Sequence, residues 1–375
     1  MKSFLLERVR AEGAPLMDGR ITRDGVPFSS DDADCHVTFV WQGKNPPALS
    51  GDFVYWAGDP TNPQTAPLAL EQIEPNVWAT TLKFPRKAYV EYIFLKNGKR
   101  VNDPFNARKT PNGIGGINNY FYAPHAAMYS SPPTPFLKTA RKTPRGRVTK
   151  HILAQDALVI GNARAVHLYQ PPTQEPAALL IALDGQDYLR RAKLPTLLDN
   201  LLAQNKIPPL AVAMLESSRL EKGSARMSEY ACNELTLIFL LKYIVPFAQE
   251  HLNLVDWKKH RGMYGIMGAS IGGLMALFTA LRAPEIFGKV ISQAGAFELW
   301  DYSPSPFTLL TQAKTPPRVW LDVGQMDWLL EPNRRMYKAL KRNGFDVKYR
   351  EYYAYHNWPA WRDVLPGALT WAFAA

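Results

Sequence analysis

A serine between two glycines follows a short apolar run in the segment YGIMGASIGG, residues 264–273. The order Gly-Ala-Ser-Ile-Gly, from Gly268 to Gly272, is typical of a sharp turn that exposes a nucleophilic serine between a strand and a helix. Glycines leave room for such a turn, and the backbone N–H of Ile271 at the helix start would face a developing oxyanion. Small residues also occur where a helix simply packs closely on a strand. The interpretation of Ser270 as a nucleophile therefore depends on its partners.

A serine is a good nucleophile at neutral pH only beside a general base, which an acid orients in turn. On an α/β-hydrolase sheet the three residues follow the order serine, acid, histidine. Of the seven histidines, His356 is the one that lies well after Ser270 and directly after a predicted late strand. Asp327 is the candidate acid because it follows the predicted strand RVWLDVG, and Glu331 in the same loop is the alternative. A dyad without an acid is the remaining alternative.

A second donor to the oxyanion is expected in the loop after an earlier strand. The segment IALDGQDYL, residues 181–189, contains an apolar strand, an Asp-Gly turn and then Gln186, whose backbone N–H is the candidate donor. Asp184 and Asp187 in this turn raise the alternative of a metal site. Because the sequence offers no third ligand, we favour a structural role for them and expect neither a metal nor another cofactor.

These residues require a sheet whose strands end at one edge, and the second half of the chain predicts one. Near-continuous apolar strands alternate with helices, which is typical of a mostly parallel sheet covered on both faces, here the α/β-hydrolase fold. The predicted strands are 163–172, 178–185, 210–218, 262–270, 289–295, 318–324 and 346–354. The predicted helices are 194–206, about 228 to 251, 271–284, one from Pro332, and 358–373.

The first part of the chain predicts an all-β fold instead. Segments rich in Val, Tyr, Phe and Trp indicate strands at 35–43, 52–58, 76–84 and 89–101. Asn97-Gly98 is typical of a two-residue hairpin turn, since both turn positions require positive φ. The expected product is a small immunoglobulin-like β-sandwich. We predict a sandwich accessory domain at 1–125, a basic, Pro-rich linker at 126–150 and the hydrolase domain at 151–375.

The segment YIFLKNGKRVNDPFNARKTPNGIGG resembles the end of the early-set sandwiches that precede many hydrolase domains. The elements that match are Tyr92, the Asn97-Gly98 turn, and Asp103-Pro104 followed by Asn106. The resemblance implies an accessory domain, and it does not imply that the domain binds sugar.

Composition narrows the classes of partner. The chain has 375 residues and a net charge of +11, which suggests an anionic partner: nucleic acid, a membrane surface or an acidic substrate. A solvated basic linker explains the acid-free segment 136–150 more simply. No nucleic-acid-binding motif accompanies this charge, so nucleic acid is not expected. The longest apolar run, 235–247, is interrupted by a lysine and a proline, so a membrane span is not expected.

The cysteines and the N-terminal segment bear on the cellular location. Cys35 and Cys232 are isolated in the sequence, and the N-terminal segment has no signal-peptide pattern, so we predict a cytoplasmic protein. The oligomeric state is not indicated.

Four segments in this order resemble the enterochelin esterase family, relatives of the esterase D hydrolases: MGASIGGLMAL, RAPEIFGKVISQAGAFELW, VGQMD and HNWPAWR. A β-sandwich in front of the hydrolase domain is also the family layout. The resemblance implies hydrolysis of catecholate siderophore trilactones, whose ferric complexes are anionic. The segment SRLEKGSARMSEYACNE also resembles the family segment in which an arginine, here Arg226, precedes Glu-Tyr, and this arginine fits an anionic substrate. Arg226, and more weakly Arg219, are candidate substrate-binding residues because their loop follows a strand at the sheet edge where ligands lie, and the alternative is that both are surface charges.

Two residues depart from the family pattern. Asn357 follows the histidine where the family often has an acidic or small residue, and Asp327 stands where siderophore esterases carry Glu. The same fold also serves carbohydrate-linked esters, so a feruloyl or acetyl esterase is the alternative function. A non-catalytic binding protein that keeps the hydrolase fold is the third hypothesis.

Overall fold

The structure is a computed structural model that describes residues 4–17, 34–57, 66–112, 116–126, 135–137, 142–154, 163–218, 220, 222–298 and 304–374. The chain forms two compact units. The first contains Met1–Pro132 and Tyr352–Asn357, and the second contains Pro133–Glu351 and Trp358–Ala375. A short segment late in the sequence therefore groups with the N-terminal unit.

The first unit is a β-sandwich. Its elements are helix α1 (Phe4–Glu12) and strands β1 (Leu16–Met17), β2 (Asp34–Gln42), β3 (Ala48–Gly51), β4 (Glu71–Glu74), β5 (Val77–Pro85), β6 (Tyr89–Lys96), β7 (Lys99–Val101), β8 (Lys109–Pro111) and β9 (Ile117–Tyr122). The sheets have the orders β1-β2-β5-β4 and β3-β6-β9-β8, with β7 paired to β6. Phe39 of one sheet packs edge-to-face on Tyr92 of the other, with 4.8 Å between ring centroids. The predicted all-β character of this region is confirmed.

In the sandwich, one predicted hairpin turn is present and one predicted strand is wrong. Asn97 and Gly98 have φ of 50° and 72° between β6 and β7, as the predicted hairpin requires. The strand predicted from Asp52 onward is wrong, because Asp52–Ala57 form a short, kinked 3-10 stretch. Tyr55 and Trp56 have φ of 47° and 60° there, which a strand excludes. The Trp56 indole N–H donates to Asp52 Oδ1 at 2.9 Å and closes this turn.

A buried polar network joins the residues that carry the early-set resemblance. Tyr92 Oη donates to Asp103 Oδ2 at 2.7 Å, and Asn106 Nδ2 donates to Tyr92 Oη at 2.9 Å. Asp103 Oδ1 accepts from the backbone N–H of Phe105 at 2.8 Å. Asp103 is 2% exposed, and burial raises its pKa to about 6.

We expect Asp103→Asn to change how the stability of the sandwich depends on pH. The folded pKa of about 6 lies above the ordinary value of 3.8, so the folded state holds the proton more tightly than the unfolded chain. The stabilisation from Asp103 is present below about pH 4 and is lost as the pH rises through 6, by at most about 3 kcal/mol. Urea unfolding from about pH 4 to pH 7 should show the wild type losing stability relative to the variant. A difference in the free energy of unfolding between wild type and variant that stays constant over this pH range would contradict the raised pKa of Asp103.

The second unit is built on one sheet. Its strands are β10 (Arg147–Leu153), β11 (Arg164–Gln170), β12 (Ala178–Leu183), β13 (Leu210–Leu215), β14 (Tyr264–Ala269), β15 (Phe287–Gln293), β16 (Arg318–Gly324) and β17 (Val347–Tyr352). Its helices are α2 (Gly185–Arg190), α3 (Leu194–Ala203), α4 (Arg226–Tyr230), α5 (Glu234–Phe239), α6 (Val245–His251), α7 (Ile271–Arg282), α8 (Pro304–Leu310), α9 (Leu330–Arg342) and α10 (Trp358–Phe373).

The eight strands follow the order β10-β11-β13-β12-β14-β15-β16-β17. β10 and β11 pair antiparallel, whereas β12 is parallel to β13 and β14, and β15 is parallel to β14 and β16. Every residue of β12, β13 and β14 is buried, so both faces of the sheet are covered. The predicted α/β-hydrolase fold is confirmed.

The helix predicted from about 228 to 251 is wrong as a single element. It is divided into α4, α5, a π-helical stretch at Leu240–Ile244, and α6. Cys232 has φ of 54°, which ends the first piece, and Asn233 Oδ1 accepts the Leu235 N–H at 2.8 Å, which starts the next. Among the described residues, no helix combines the length and apolar character needed to cross a bilayer.

The stretch predicted as a basic linker ends in an edge strand. β10 begins at Arg147 and pairs with β11 from Arg147 to Leu153. Arg147 and Lys150 therefore belong to the sheet rather than to a linker. Charged side chains on an edge strand hinder unwanted pairing with other chains.

Candidate active site

Ser270 occupies the turn between β14 and α7, as the sequence predicts. Its φ of 58° and ψ of −125° are unusual for a residue with a side chain. A Cβ on Gly268 would lie 2.3 Å from the carbonyl oxygen of Gly272, so a glycine is required where the strand end and the helix start meet. The turn places Ser270 at the carboxyl edge of the sheet, where open α/β sheets bind ligands.

Hydrogen bonds from the next strand hold this turn. The Ser270 N–H donates to the carbonyl of Gln293 at 2.8 Å, and the Ser270 carbonyl accepts from the Ala296 N–H at 3.0 Å. Gln293 is fixed in turn, because its Nε2 donates to the Trp361 carbonyl at 3.0 Å and its Oε1 accepts from Tyr188 Oη at 3.1 Å. The elbow is therefore held in one position, which a nucleophile needs for an aligned attack.

Two backbone N–H groups at the ends of neighbouring strands are the candidate oxyanion donors. Ile271 is the first residue of α7, and Gln186 is the second residue of α2, which follows β12. β12 and β14 are neighbours in the sheet, with Ala182 opposite Met267. In the part of the chain that the structure describes, neither N–H donates a hydrogen bond. Both groups can therefore bind a negative oxygen.

Arg226 lies at the predicted sheet edge, but its guanidinium is bound to a carboxylate. Nε donates to Asp184 Oδ1 at 2.7 Å, and Nη2 donates to Asp184 Oδ2 at 2.6 Å and to the Ala269 carbonyl at 3.1 Å. The side chain of Arg226 is 27% exposed and that of Asp184 is 2% exposed. Burial acts to lower the pKa of Arg226, and the adjacent Asp184 carboxylate outweighs it and raises that pKa above its usual value.

The ion pair between Arg226 and Asp184 changes the expected role of Arg226 in substrate binding. Both carboxylate oxygens of Asp184 accept from Arg226, so Asp184 has a structural role at the turn. The pair carries no net charge, so the expectation that Arg226 offers a free cation to an anionic substrate needs revision. Arg219, the weaker candidate, lies outside the described residues.

The two candidate acids occupy different environments after β16. Asp327 is 4% exposed, and its Oδ1 accepts from the Leu329 N–H at 2.9 Å. The Glu331 side chain is 61% exposed in the first turn of α9, and its Oε1 accepts from Arg334 Nη1 at 2.7 Å. A buried, oriented carboxylate is better suited to orient a histidine than an exposed one paired with arginine. The geometry therefore favours Asp327.

Glu351 near the end of β17 links this strand to the same loop. Its carboxylate accepts from Arg334 at 2.7 and 2.8 Å, from Gln325 Nε2 at 3.1 Å and from Tyr349 Oη at 2.7 Å. The bonds from Arg334 are the main cause that lowers the pKa of Glu351 to about 2. Because Gln325 stands two residues before Asp327 in sequence, the network holds the start of the acid loop against β17.

His356 lies in the late segment that groups with the β-sandwich. The Tyr89 N–H donates to the Tyr353 carbonyl at 2.9 Å, and Asn357 Nδ2 donates to Asp52 Oδ2 at 3.3 Å. His356 is half-buried, and it lies in sequence between these two anchored residues. Residues of the sandwich therefore fix the segment on both sides of the expected base.

The sequence does not indicate the contact between Asp52 and Asn357, and it indicates the contact between Arg226 and Asp184 only in part. Asp52 falls in a predicted strand, and nothing around it indicates a bond to Asn357. The partner of Arg226 could be found in part, because Asp184 at the end of one strand and an arginine after the next strand meet at the same edge of a parallel sheet.

The chain matches known esterases in sequence. A family model described as "Putative esterase" matches residues 158–372. The chain is 25% identical over 234 residues to the iron(III) enterobactin esterase of Dickeya dadantii, a match that covers 56% of this chain and 52%, about half, of that relative. It is 21% identical over 376 residues to the iron(III) salmochelin esterase of Escherichia coli O6:H1, covering 91% of this chain and 88% of the relative.

A solved structure shares the fold. The crystal structure of ferric enterobactin esterase from Salmonella typhimurium matches with a TM-score of 0.75 at 19% identity, covering 92% of this chain and 94% of that chain. At this identity the likeness shows a common fold. The sequence matches confirm the resemblance to the enterochelin esterase family that the motifs indicate.

Proposed function

Because the chain belongs to the putative esterase family, we propose that it is a serine esterase that hydrolyses the ester bonds of a ferric catecholate siderophore. Ser270 is the nucleophile, His356 is the general base and Asp327 is the acid that orients it. The backbone N–H groups of Ile271 and Gln186 form the oxyanion hole. The observation that carries this proposal is the elbow at Ser270, since strained backbone at a residue with a side chain is concentrated at functional sites.

The reaction has two halves. Ser270 Oγ attacks the ester carbonyl carbon while His356 accepts the hydroxyl proton, and the carbonyl oxygen becomes a tetrahedral oxyanion. Collapse of this intermediate breaks the bond to the alcohol oxygen, which leaves with the proton from His356, and an acyl-enzyme remains. A water molecule, deprotonated by His356, then attacks the acyl carbonyl. The second collapse releases the carboxylic acid and returns the proton to Ser270.

The elements around the acid and the base support these roles. Asp327 follows β16, which is separated from β14 by one strand, so it leaves the sheet at the same edge as Ser270. His356 stands just before α10, whose first residue, Trp358, packs on Tyr188 with 5.0 Å between ring centroids. Tyr188 belongs to α2, which also carries a proposed oxyanion donor. The chain therefore enters α10 at the edge that carries the nucleophile.

The substrate class rests on the relatives and on charge. The relatives described above are named as esterases of iron(III) enterobactin and iron(III) salmochelin. A ferric catecholate is anionic, and the net charge of +11 favours its encounter with the protein through long-range attraction. Because Arg226 is paired with Asp184, we assign this attraction to the field of the whole protein rather than to that arginine.

The proposal is tested by offering purified protein three esters: an iron-loaded catecholate trilactone, a feruloyl sugar and an acetylated oligosaccharide. We expect the trilactone to be cleaved with a kcat/KM more than about tenfold above the other two, measured by chromatography of the products. Preference for a sugar ester would replace this substrate with the carbohydrate alternative. Binding of the trilactone with no hydrolysis of any ester would support the non-catalytic binding protein.

The assignment of the acid predicts unequal effects of two substitutions. Asp327→Ala should lower kcat by roughly 10³- to 10⁴-fold, because His356 loses the group that orients it. Glu331→Ala should change kcat by less than about threefold, because its ion pair is exposed. Both are measured by steady-state hydrolysis of p-nitrophenyl butyrate. A larger loss in Glu331→Ala would transfer the role to Glu331, and small losses in both would indicate a dyad.

A further inference from the structure

The Asp184–Arg226 pair joins the two turns that carry the proposed oxyanion donors. Asp184 stands two residues before Gln186, and Ala269 stands two residues before Ile271. Arg226 binds the Asp184 carboxylate through two parallel bonds and also donates to the Ala269 carbonyl. The Arg226 side chain therefore contacts, in both turns, the residue that stands two positions before the proposed donor.

Both turns have a backbone conformation that the surroundings must impose. Asp184 has φ of 58° and ψ of 43°, and Ser270 has φ of 58° and ψ of −125°. Positive φ at residues with side chains persists only where neighbouring contacts over-determine it. The Asp184 side chain makes no capping bond to α2, and its carboxylate is bound by the arginine instead. The planar fork of Arg226 can hold such a geometry because it is rigid and binds a carboxylate at two points.

The Asp184 carboxylate would oppose catalysis if it had no cation beside it. Asp184 is 1% exposed, and a Cβ on Gly272 of the elbow would lie 3.2 Å from its Oδ2, so the negative charge is close to the start of α7. A negative charge there repels the oxyanion of the tetrahedral intermediate, most strongly where water is excluded. Arg226 neutralises this charge, and the ring of Tyr230 lies 5.6 Å from the guanidinium carbon.

We infer that Arg226 is a positioning residue of the esterase rather than a substrate-binding residue. It sets the spacing between the turns that carry the N–H groups of Gln186 and Ile271, and it neutralises Asp184 beside them. The inference rests on the proposed function, because this spacing affects catalysis only if the two N–H groups bind an oxyanion.

The expected signature is a loss in kcat with little change in KM. Arg226→Met removes the charge and the bonds while keeping an unbranched apolar side chain. We expect kcat to fall about 100-fold for neutral and anionic esters alike, independent of salt. Arg226→Lys keeps the charge but lacks the fork, so it should recover only about tenfold of that loss. A substrate-binding arginine would instead raise KM for anionic esters alone, and the effect would shrink at high salt.

The experiment compares wild type, Arg226→Met, Arg226→Lys and the double variant Arg226→Met/Asp184→Asn on p-nitrophenyl butyrate and on an anionic ester. The double variant should recover part of kcat, because the unpaired carboxylate is gone. Arg282→Met breaks an exposed ion pair with Glu234 of 3.1 Å in the same unit, and this control should leave kcat unchanged. Thermal melting identifies any variant that does not fold.

An aryl boronate adds a readout that a purely structural role would not move. It forms a tetrahedral anion on a reactive serine, so its Ki should rise in parallel with the fall in kcat. An unchanged boronate Ki in Arg226→Met, or a KM effect confined to the anionic ester, overturns the inference. If Arg226→Met does not fold, the boronate Ki and the KM for the two esters are measured on Arg226→Lys instead, and the same outcomes support or overturn the inference. Failure of the proposed function is distinguishable, because the boronate would then bind wild type and Ser270→Ala equally.

Discussion

Ser270→Ala is expected to abolish measurable ester hydrolysis, with kcat/KM falling by roughly 10³- to 10⁶-fold for every ester. The substitution removes only the oxygen that attacks the carbonyl carbon. The proposed oxyanion hole and the binding surface remain, and these would sustain only a small rate above that in water. The fold should be unchanged, because the elbow is held by backbone bonds to Gln293 and Ala296 that alanine retains.

The matched control for this substitution is Ser228→Ala. Ser228 is exposed on α4 of the same unit, so its hydroxyl should be dispensable. Steady-state hydrolysis of p-nitrophenyl butyrate and circular dichroism are measured on both variants. Turnover near the wild-type rate in Ser270→Ala would rule out the assigned site, and equal losses in both variants would point to damage of the fold.

His356→Ala is expected to lower kcat nearly as much, because Ser270 without its base is a poor nucleophile. The two losses should not add, since residues that act as one unit are strongly non-additive. The double variant Ser270→Ala/His356→Ala should therefore be within about threefold of Ser270→Ala alone on the same ester. Additive losses would mean that His356 acts outside the step that Ser270 performs.

Asn357 provides a second way to displace His356. Its Nδ2 donates to the buried Asp52 at 3.3 Å, so Asn357→Asp would set two carboxylates against each other. We expect kcat to fall by about tenfold or more, and Asp52→Asn in the same chain should restore part of it. Asp34→Asn, which breaks an exposed pair with Lys83 of 3.0 Å on the sandwich, is the control. Wild-type kcat in Asn357→Asp would show that the sandwich does not position His356.

The elbow and the sheet could be predicted from the sequence because they depend on local patterns. Gly268 and Gly272 meet within a single turn, and the apolar runs on either side of Ser270 define a strand and a helix without reference to the rest of the chain. The hairpin at Asn97-Gly98 is equally local. A residue pattern suffices where the residues that constrain one another are a few positions apart.

The long-range partners could not be identified from local patterns. Arg226 and Asp184 are 42 positions apart, and Asn357 and Asp52 are 305 positions apart. In the sequence Arg226, Asp184 and Asn357 are ordinary polar residues of loops or turns and Asp52 belongs to a predicted strand, and the partner of each is decided only when the chain folds. The broken helix has a similar cause, since Asn233 fits an amphipathic pattern and yet caps α5 in the fold.

The mapping of a covalent adduct tests the central claim, that Ser270 is the nucleophile, most directly. Native protein treated with an alkyl fluorophosphonate, then digested and analysed by tandem mass spectrometry, should carry one adduct on Ser270 Oγ, because only an activated serine reacts quickly. Ser270→Ala protein under the same conditions should carry none. An adduct on a different residue, or equal labelling of Ser270→Ala, would contradict the account.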